Sequence, residues 1–205
     1  MPSKVWVAEL EPGQFVARLQ QLVSVYAAAM QASPGQLAGR RSIMTGHAAN
    51  PGFRALVAAD GDGRPAGFGY GFRGAPGQWW HDTVARALAA ARGNEAAASW
   101  LGDSFELAEL HVLPEYQGRG IGTDLLLRLS AGRPERTALL STRDADTPAR
   151  RLYRGVGFTD LLTRFCFVPG DEPPYAVMGA ELPLRSRSAG AEGPPGTRRS
   201  PRPSR

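Results

Sequence analysis

Phe105–Ser130, FELAELHVLPEYQGRGIGTDLLLRLS, is the stretch whose reading decides the fold. Its first part is rich in apolar residues and predicts a β-strand. Pro114 stops that strand, Gln117-Gly118-Arg119-Gly120-Ile121-Gly122 makes a turn, and the leucines from Leu125 on predict a helix. Glycines in such a turn adopt positive φ and leave room beside the backbone, so successive N–H groups can point one way at the start of a helix. The helix dipole favours negative charge there, and the turn predicts an anion cradle for a phosphorylated ligand.

Outward from this stretch, strands and helices follow one another. Val5–Leu10 is a short strand candidate closed by Pro12-Gly13. Gln14–Met30 repeats Phe15, Leu19, Leu22, Val23, Tyr26 and Met30 at helical spacing and predicts one amphipathic helix. A second helix over 36–49 would carry Arg40, Arg41 and His47. Phe53–Ala59 and Pro65–Phe72 flank Asp60-Gly61-Asp62-Gly63 as a hairpin. Glycines alternating with aromatics in its second strand predict close approach by another backbone or a ligand. Residues 73–103 form an excursion with Trp79-Trp80, an alanine-rich helix over 81–91 and a polar link over 92–99. Beyond Ser130, Thr137–Thr142 predicts a strand. Thr147–Val156 predicts a helix with Pro148 in its first turn and Asp146 as N-cap candidate. Residues 161–168 and 175–182 predict a closing antiparallel pair.

The chain has 205 residues and 42% hydrophobic content, enough for one domain with a core. Its net charge of +5 is unevenly placed: from Pro183 on there are six arginines against Glu192, leaving 18 basic and 18 acidic residues before it. The basic character therefore belongs to 183–205, a Pro/Gly/Ser/Arg-rich tail expected to be disordered, and the domain to 1–182. A neutral body gives no reason to expect nucleic acid, except through that tail. Cys166 stands alone, which excludes an intrachain disulfide and a cysteine metal cluster. His47, His81 and His111 show no ligand spacing, and no metal is expected. No apolar run approaches the ~18 residues of a membrane span. No membrane association is expected, and the cytoplasm is the expected location.

Three phosphate-binding motifs compete for the glycine turn. A Walker loop requires Gly-Lys-Ser/Thr, and the body has only Lys4. A Rossmann fingerprint needs a third glycine where Thr123 stands. The turn instead resembles motif A of the GNAT superfamily, the acetyl-coenzyme A-dependent N-acyltransferases, which carry Gln/Arg-x-x-Gly-x-Gly/Ala there. Asp146-Thr147-Pro148-Ala149-Arg150-Arg151-Leu152-Tyr153, followed by Gly157-Phe158, is similar to that family's second cofactor segment, Asn-x-x-Ala-x-x-Leu-Tyr-x-x-x-Gly-Phe. The resemblance covers roughly Val5–Leu182.

It implies an α/β layered fold, with a central mixed, mostly antiparallel sheet of about seven strands and helices on both faces. It also implies acetyl transfer from acetyl-coenzyme A to a primary amine in a ternary complex. Gly118, Arg119, Gly120, Ile121, Gly122 and Thr123 would hold the pyrophosphate, with Gln117 among the cofactor contacts. Leu110, His111 and Val112 would hold the pantetheine along a splayed strand edge. Asp146, where the family commonly has asparagine, keeps a capping oxygen but loses an amide donor. Tyr153 stands where the family often places the acid that protonates the coenzyme A sulfur, and an aromatic packed on cofactor or core is the alternative.

Glu106, eleven residues before Gln117, matches the place of the catalytic glutamate of some members, and Glu109 is the second candidate base. Strand alternation sends the two to opposite faces unless a bulge resets the register, and deprotonation through water is a third route. Cys166 is expected to be a small buried hydrophobe and not an acetyl carrier. Acceptor choice would rest on Tyr26, Met30, Arg40, Arg41, Trp79, Trp80, His81 and Asp82, with a small-molecule amine favoured over a protein amine. The alternative is a degenerate acyl-coenzyme A-binding sensor or assembly domain. A homodimer suits such a family, but no residue here specifies one.

Overall fold

A computed structural model describes residues 5–168 and 174–185. Seven strands form one sheet in the order β1-β2-β3-β4-β5-β7-β6: β1 (Trp6–Leu10), β2 (Arg54–Ala59), β3 (Pro65–Arg73), β4 (Ser104–Val112), β5 (Thr137–Arg143), β6 (Thr159–Phe165) and β7 (Tyr175–Glu181). Every neighbouring pair is antiparallel except β4 with β5. The expected mixed, mostly antiparallel sheet is therefore present, and it is α/β with helices on both faces.

Alternation along the strands divides the core. On one face, Phe105, Leu107, Leu110, Val112, Ala138 and Leu140 pack beneath α6 (Ile121–Ser130) and α7 (Pro148–Gly155), against Leu125, Leu126, Leu129 and Tyr153. On the other, Ala55, Val57, Phe68, Tyr70 and Phe72 lie under α1 (Pro12–Ala17), α2 (Leu19–Met30) and α3 (Pro34–His47). On that same face Leu139, Leu161 and Val177 lie under α4 (Trp79–Arg92) and α5 (Asn94–Leu101). The expected close approach at the β3 glycines is to the chain itself. A Cβ on Gly69 would stand 2.9 Å from both Leu110 Cδ1 and Leu129 Cδ1, so glycine lets α6 settle on the sheet.

Several expectations need correction. The single helix over 14–30 is two helices, because Arg18 leaves helical geometry at φ −96°, ψ 3°, with its amide shared between Gln14 O and Phe15 O. The polar link over 92–99 is mostly helix α5, set off from α4 by Gly93 at φ +90°. Strong helix formers, Glu95 and three alanines, hold it, and Ala97 and Leu101 bury its inner face. Thr147, not Asp146, caps α7, accepting the Arg150 amide at 3.1 Å. The sixth strand begins at Thr159 and ends at Phe165, so Cys166 lies beyond it and is exposed, not buried. Residues 186–205, most of the expected tail, fall outside the described residues, while Arg185 N–H donates to Val156 O at 3.1 Å.

The decisive departure from strand alternation is a bulge in β4. Gly71 pairs with Leu107 and Tyr70 with Glu109, so Ala108 has no partner of its own on β3. Leu107 and Leu110 both face α6, and Glu106 and Glu109 both face the opposite side, toward α4 and α3. The two carboxylates thus share one face of the sheet.

Candidate active site

β4 and β5 run together only from Ser104 to Glu106, against Thr137 to Leu139. Past Glu106 the strands part, and the edge of β4 from Leu107 to Val112 that would face β5 has no ladder partner there. This edge leads through Leu113 and the 3₁₀ turn Pro114–Tyr116 into the glycine loop. Gln117 Nε2 donates to Val112 O at 2.9 Å and ties the loop back to the strand end. Gly118 and Gly120 take φ of +74° and +80°, values that favour glycine, and Gly120 is the residue before α6.

The first amide to return a bond within that turn is Asp124 N–H, to Gly120 O at 3.0 Å. The amides of Ile121, Gly122 and Thr123 precede it, at the positive end of the helix dipole, where an anion is stabilised. Arg119 lies over the Tyr116 ring at 5.1 Å and donates to Glu115 O at 2.7 Å. Gly122 stands where a Cβ would meet Leu152 Cδ1 at 3.1 Å, so α6 and α7 approach closely. Tyr153 projects from α7 into the core under α6 and packs against Phe158 at 5.8 Å. Burial above all, and then the Glu109 carboxylate, raise its phenol well above the usual tyrosine range, so it keeps its proton at physiological pH. The Asp146 carboxylate pairs with Arg151 at 2.8 Å on the surface.

Across the sheet the carboxylates differ. Glu109 is buried and doubly held, by Arg40 of α3 at 2.7 Å and by His111 Nε2 at 2.5 Å. His111 meets Tyr26 edge-on at 5.1 Å, and Arg40 lies over the same Tyr26 ring at 4.7 Å, so α2, α3 and β4 share one polar junction. His47 Nδ1 and Tyr70 OH, 3.0 Å apart, adjoin it; burial lowers the imidazole and raises the phenol. Glu106, only 3% exposed, has no such cation. Burial, and then the charge of Asp82, push its carboxyl up to about 8. His81 of α4 stands 3.8 Å away, its basicity lowered by burial.

A sequence-only reading placed Arg40 and His81 among acceptor contacts. The fold bonds Arg40 to Glu109 and stands His81 3.8 Å from Glu106, juxtapositions across 69 and 25 positions that no local spacing announces. Of the other acceptor candidates, Trp80 Nε1 donates to Ser141 Oγ at 3.2 Å, and Asp82 accepts from Gly77 N–H at 3.1 Å. Trp79 is exposed against Phe167, and Met30 and Arg41 lie on the outer faces of α2 and α3.

The family model of the acetyltransferase (GNAT) domain matches residues 51–160, a span that includes the splayed strand, the loop and Tyr153. A GCN5-like protein acetyltransferase of Mycobacterium tuberculosis is 36% identical over 205 residues, covering 88% of this chain and 99% of that protein. The chain belongs to the GNAT acetyltransferase family.

Solved GNAT enzymes share the architecture at low identity. A PaiA N-acetyltransferase of Thermoplasma acidophilum, solved with coenzyme A, superposes with a TM-score of 0.57 at 14% identity, over 87% of this chain and 99% of that one. A spermidine N-acetyltransferase SpeG chimera from Vibrio cholerae and hSSAT gives 0.56 at 18%, over 87% and 96%. As a GNAT acetyltransferase the chain takes its acetyl group from acetyl-coenzyme A. The residues present fit that donor: an anion cradle at a helix N-terminus adjoins a strand edge that can bond the amides of an extended pantetheine arm. No helix among the described residues is long and apolar enough to cross a membrane.

Proposed function

We propose that this protein transfers the acetyl group of acetyl-coenzyme A directly to a primary amine held in the same complex. One observation carries the proposal: the bulge at Ala108 puts Glu106 and Glu109 on one face of β4, where the strand leaves β5, with Tyr153 beneath the other face. A nucleophilic nitrogen arriving between the parted strands meets a carboxylate on one side and a protonated phenol on the other.

In this reading Glu106 is the base. A general base works best with a pKa near the working pH, and burial raises Glu106 into that range, while Glu109 is committed to Arg40 and His111. Glu109 is then a positioning residue that fixes α3 against β4. Tyr153 supplies the proton to the departing sulfur. The N–H groups of the Leu110–Val112 edge polarise the acetyl carbonyl and bind the pantetheine, and the amides of Gly118 to Thr123 bind the pyrophosphate with Gln117 and Arg119 beside them.

The acceptor is read as an amine carried on a protein. Sequence alone favoured a small amine; the relative that aligns over 88% of this chain is named a protein acetyltransferase, and this moves the assignment. Release of free thiol from acetyl-coenzyme A in the presence of Nα-acetyl-lysine amide or lysine peptides tests it. Thiol release stoichiometric with acetyl-lysine supports the reading. Tight acetyl-coenzyme A binding with no transfer to peptide or small amines supports the sensor alternative.

A further inference from the structure

Glu106 and His81 stand out because they are buried and unpartnered together. Among the described residues, Glu106 Oε1 and both ring nitrogens of His81 are buried and lack a hydrogen-bond partner. Native proteins rarely leave such atoms unpaired. The two side chains are 4% and 7% exposed and stand 3.8 Å apart, just too far for a direct bond.

A Cβ on Gly74 would lie 2.4 Å from Glu106 Oε1, so the loop backbone walls the carboxyl on that side. Ser104 Oγ, beside it, donates to Leu101 O at 3.3 Å. His81 is fixed in the first turn of α4, next to Asp82, which is tied to Gly77 N–H. The other surroundings offer no competing partner. Phe72 of β3 and Leu139 of β5, directly opposite Glu106 in the ladder, are apolar. Arg73 is engaged by Asp103 at 3.0 Å, and Glu109 by Arg40 and His111.

We propose that His81 is the proton partner of Glu106, so that the two side chains hold one proton between Oε1 and Nδ1, across a short closure or one bridging water. The inference rests on reading Glu106 as the base, and it removes a difficulty of that reading. A carboxyl in so apolar a place holds its proton at neutral pH and could not accept another. Burial lowers His81 as well, so the proton can pass to it only with the carboxylate and imidazolium formed side by side, each charge favouring the other; that leaves a carboxylate for the acceptor.

The steps balance. The shared proton moves to His81, giving carboxylate and imidazolium. The carboxylate takes one proton from the acceptor ammonium, and the neutral amine attacks the thioester carbonyl. As the C–S bond breaks, Tyr153 gives its proton to the sulfur, and its phenolate takes the second proton from the nitrogen and is thereby restored. His81 then releases its extra proton to solvent. One proton ends on the thiol, one in bulk water, and the dyad regains its starting state.

Reciprocal NMR titration of the full-length protein tests the dyad without needing an acceptor. The Glu106 carboxyl carbon is followed in wild type and His81→Gln, and the His81 ring nitrogens in wild type and Glu106→Gln. Each substitution is expected to move the other group's midpoint by more than about 1 pH unit, the mark of a coupled pair. With acetyl-coenzyme A and Nα-acetyl-lysine amide as probe, the acid limb of kcat/KM in His81→Gln should rise by a similar amount, with thermal unfolding little changed. Midpoints that ignore the partner's substitution overturn the proposal. Full turnover by Glu106→Gln would instead remove Glu106 as the base, and the titration would still decide whether the dyad exists.

Discussion

At the level of single residues, the account turns on what burial does to two acids. Glu106 lies above its unfolded value of 4.5, at about 8. Between those values the native state keeps a proton that the unfolded state has lost, so stability falls as pH rises through this window. Glu106→Gln has no proton to lose. The melting temperature of wild type relative to Glu106→Gln is therefore expected to drop from pH 5 to pH 8, and parallel curves would contradict the burial argument. For Tyr153, Tyr153→Phe keeps the packing on Phe158 and removes the acid; kcat should fall by about 10²-fold or more with little change in acetyl-coenzyme A binding measured by calorimetry. Arg40→Ala leaves Glu109, 8% exposed, without its cation. Glu109 keeps His111 at 2.5 Å, so chemical denaturation is expected to show a loss of about 1.5–3 kcal/mol, the worth of one hydrogen bond to a charged group.

Among the elements, the glycine turn and β4 carry the site, and they were unequally legible. The turn could be read directly, because two glycines at positive φ before a leucine-rich helix form a local pattern. Gly120→Ala puts a Cβ where φ is +80° with no atom crowding it, so its cost is backbone strain of about 1 kcal/mol or more, read by denaturation together with weaker acetyl-coenzyme A binding. The bulge could not be read. Alternation assigns Glu106 and Glu109 to opposite faces, and only the pairing of Tyr70 with Glu109 and Gly71 with Leu107, set by the neighbouring strand, brings them together. Asp146 shows the same limit at a cap: two adjacent capping side chains precede Pro148, and the backbone turn, not composition, selects Thr147.

For the whole molecule, the sheet works as a divider with different chemistry on its faces. α6 and α7 close an apolar core behind the donor edge, while α2, α3 and α4 bring Tyr26, Arg40 and His81 to the acids on the front. Strand count and the mixed, mostly antiparallel sheet followed from the family pattern, whereas the contacts of the N-terminal helices with β4 depend on tertiary packing that sequence spacing does not encode. The described chain also extends past Leu182: Leu184 packs on the core and Arg185 N–H bonds Val156 O. A chain ending at Leu182 is expected to melt several degrees lower than one ending at Arg185. The central claim is that Glu106 is the base of a direct acetyl transfer. Its most direct test is thiol release from acetyl-coenzyme A with a lysine peptide by wild type and Glu106→Gln, at equal donor saturation. Loss of turnover by about 10²-fold or more, with donor binding unchanged, is the predicted result. Turnover retained in Glu106→Gln would contradict it.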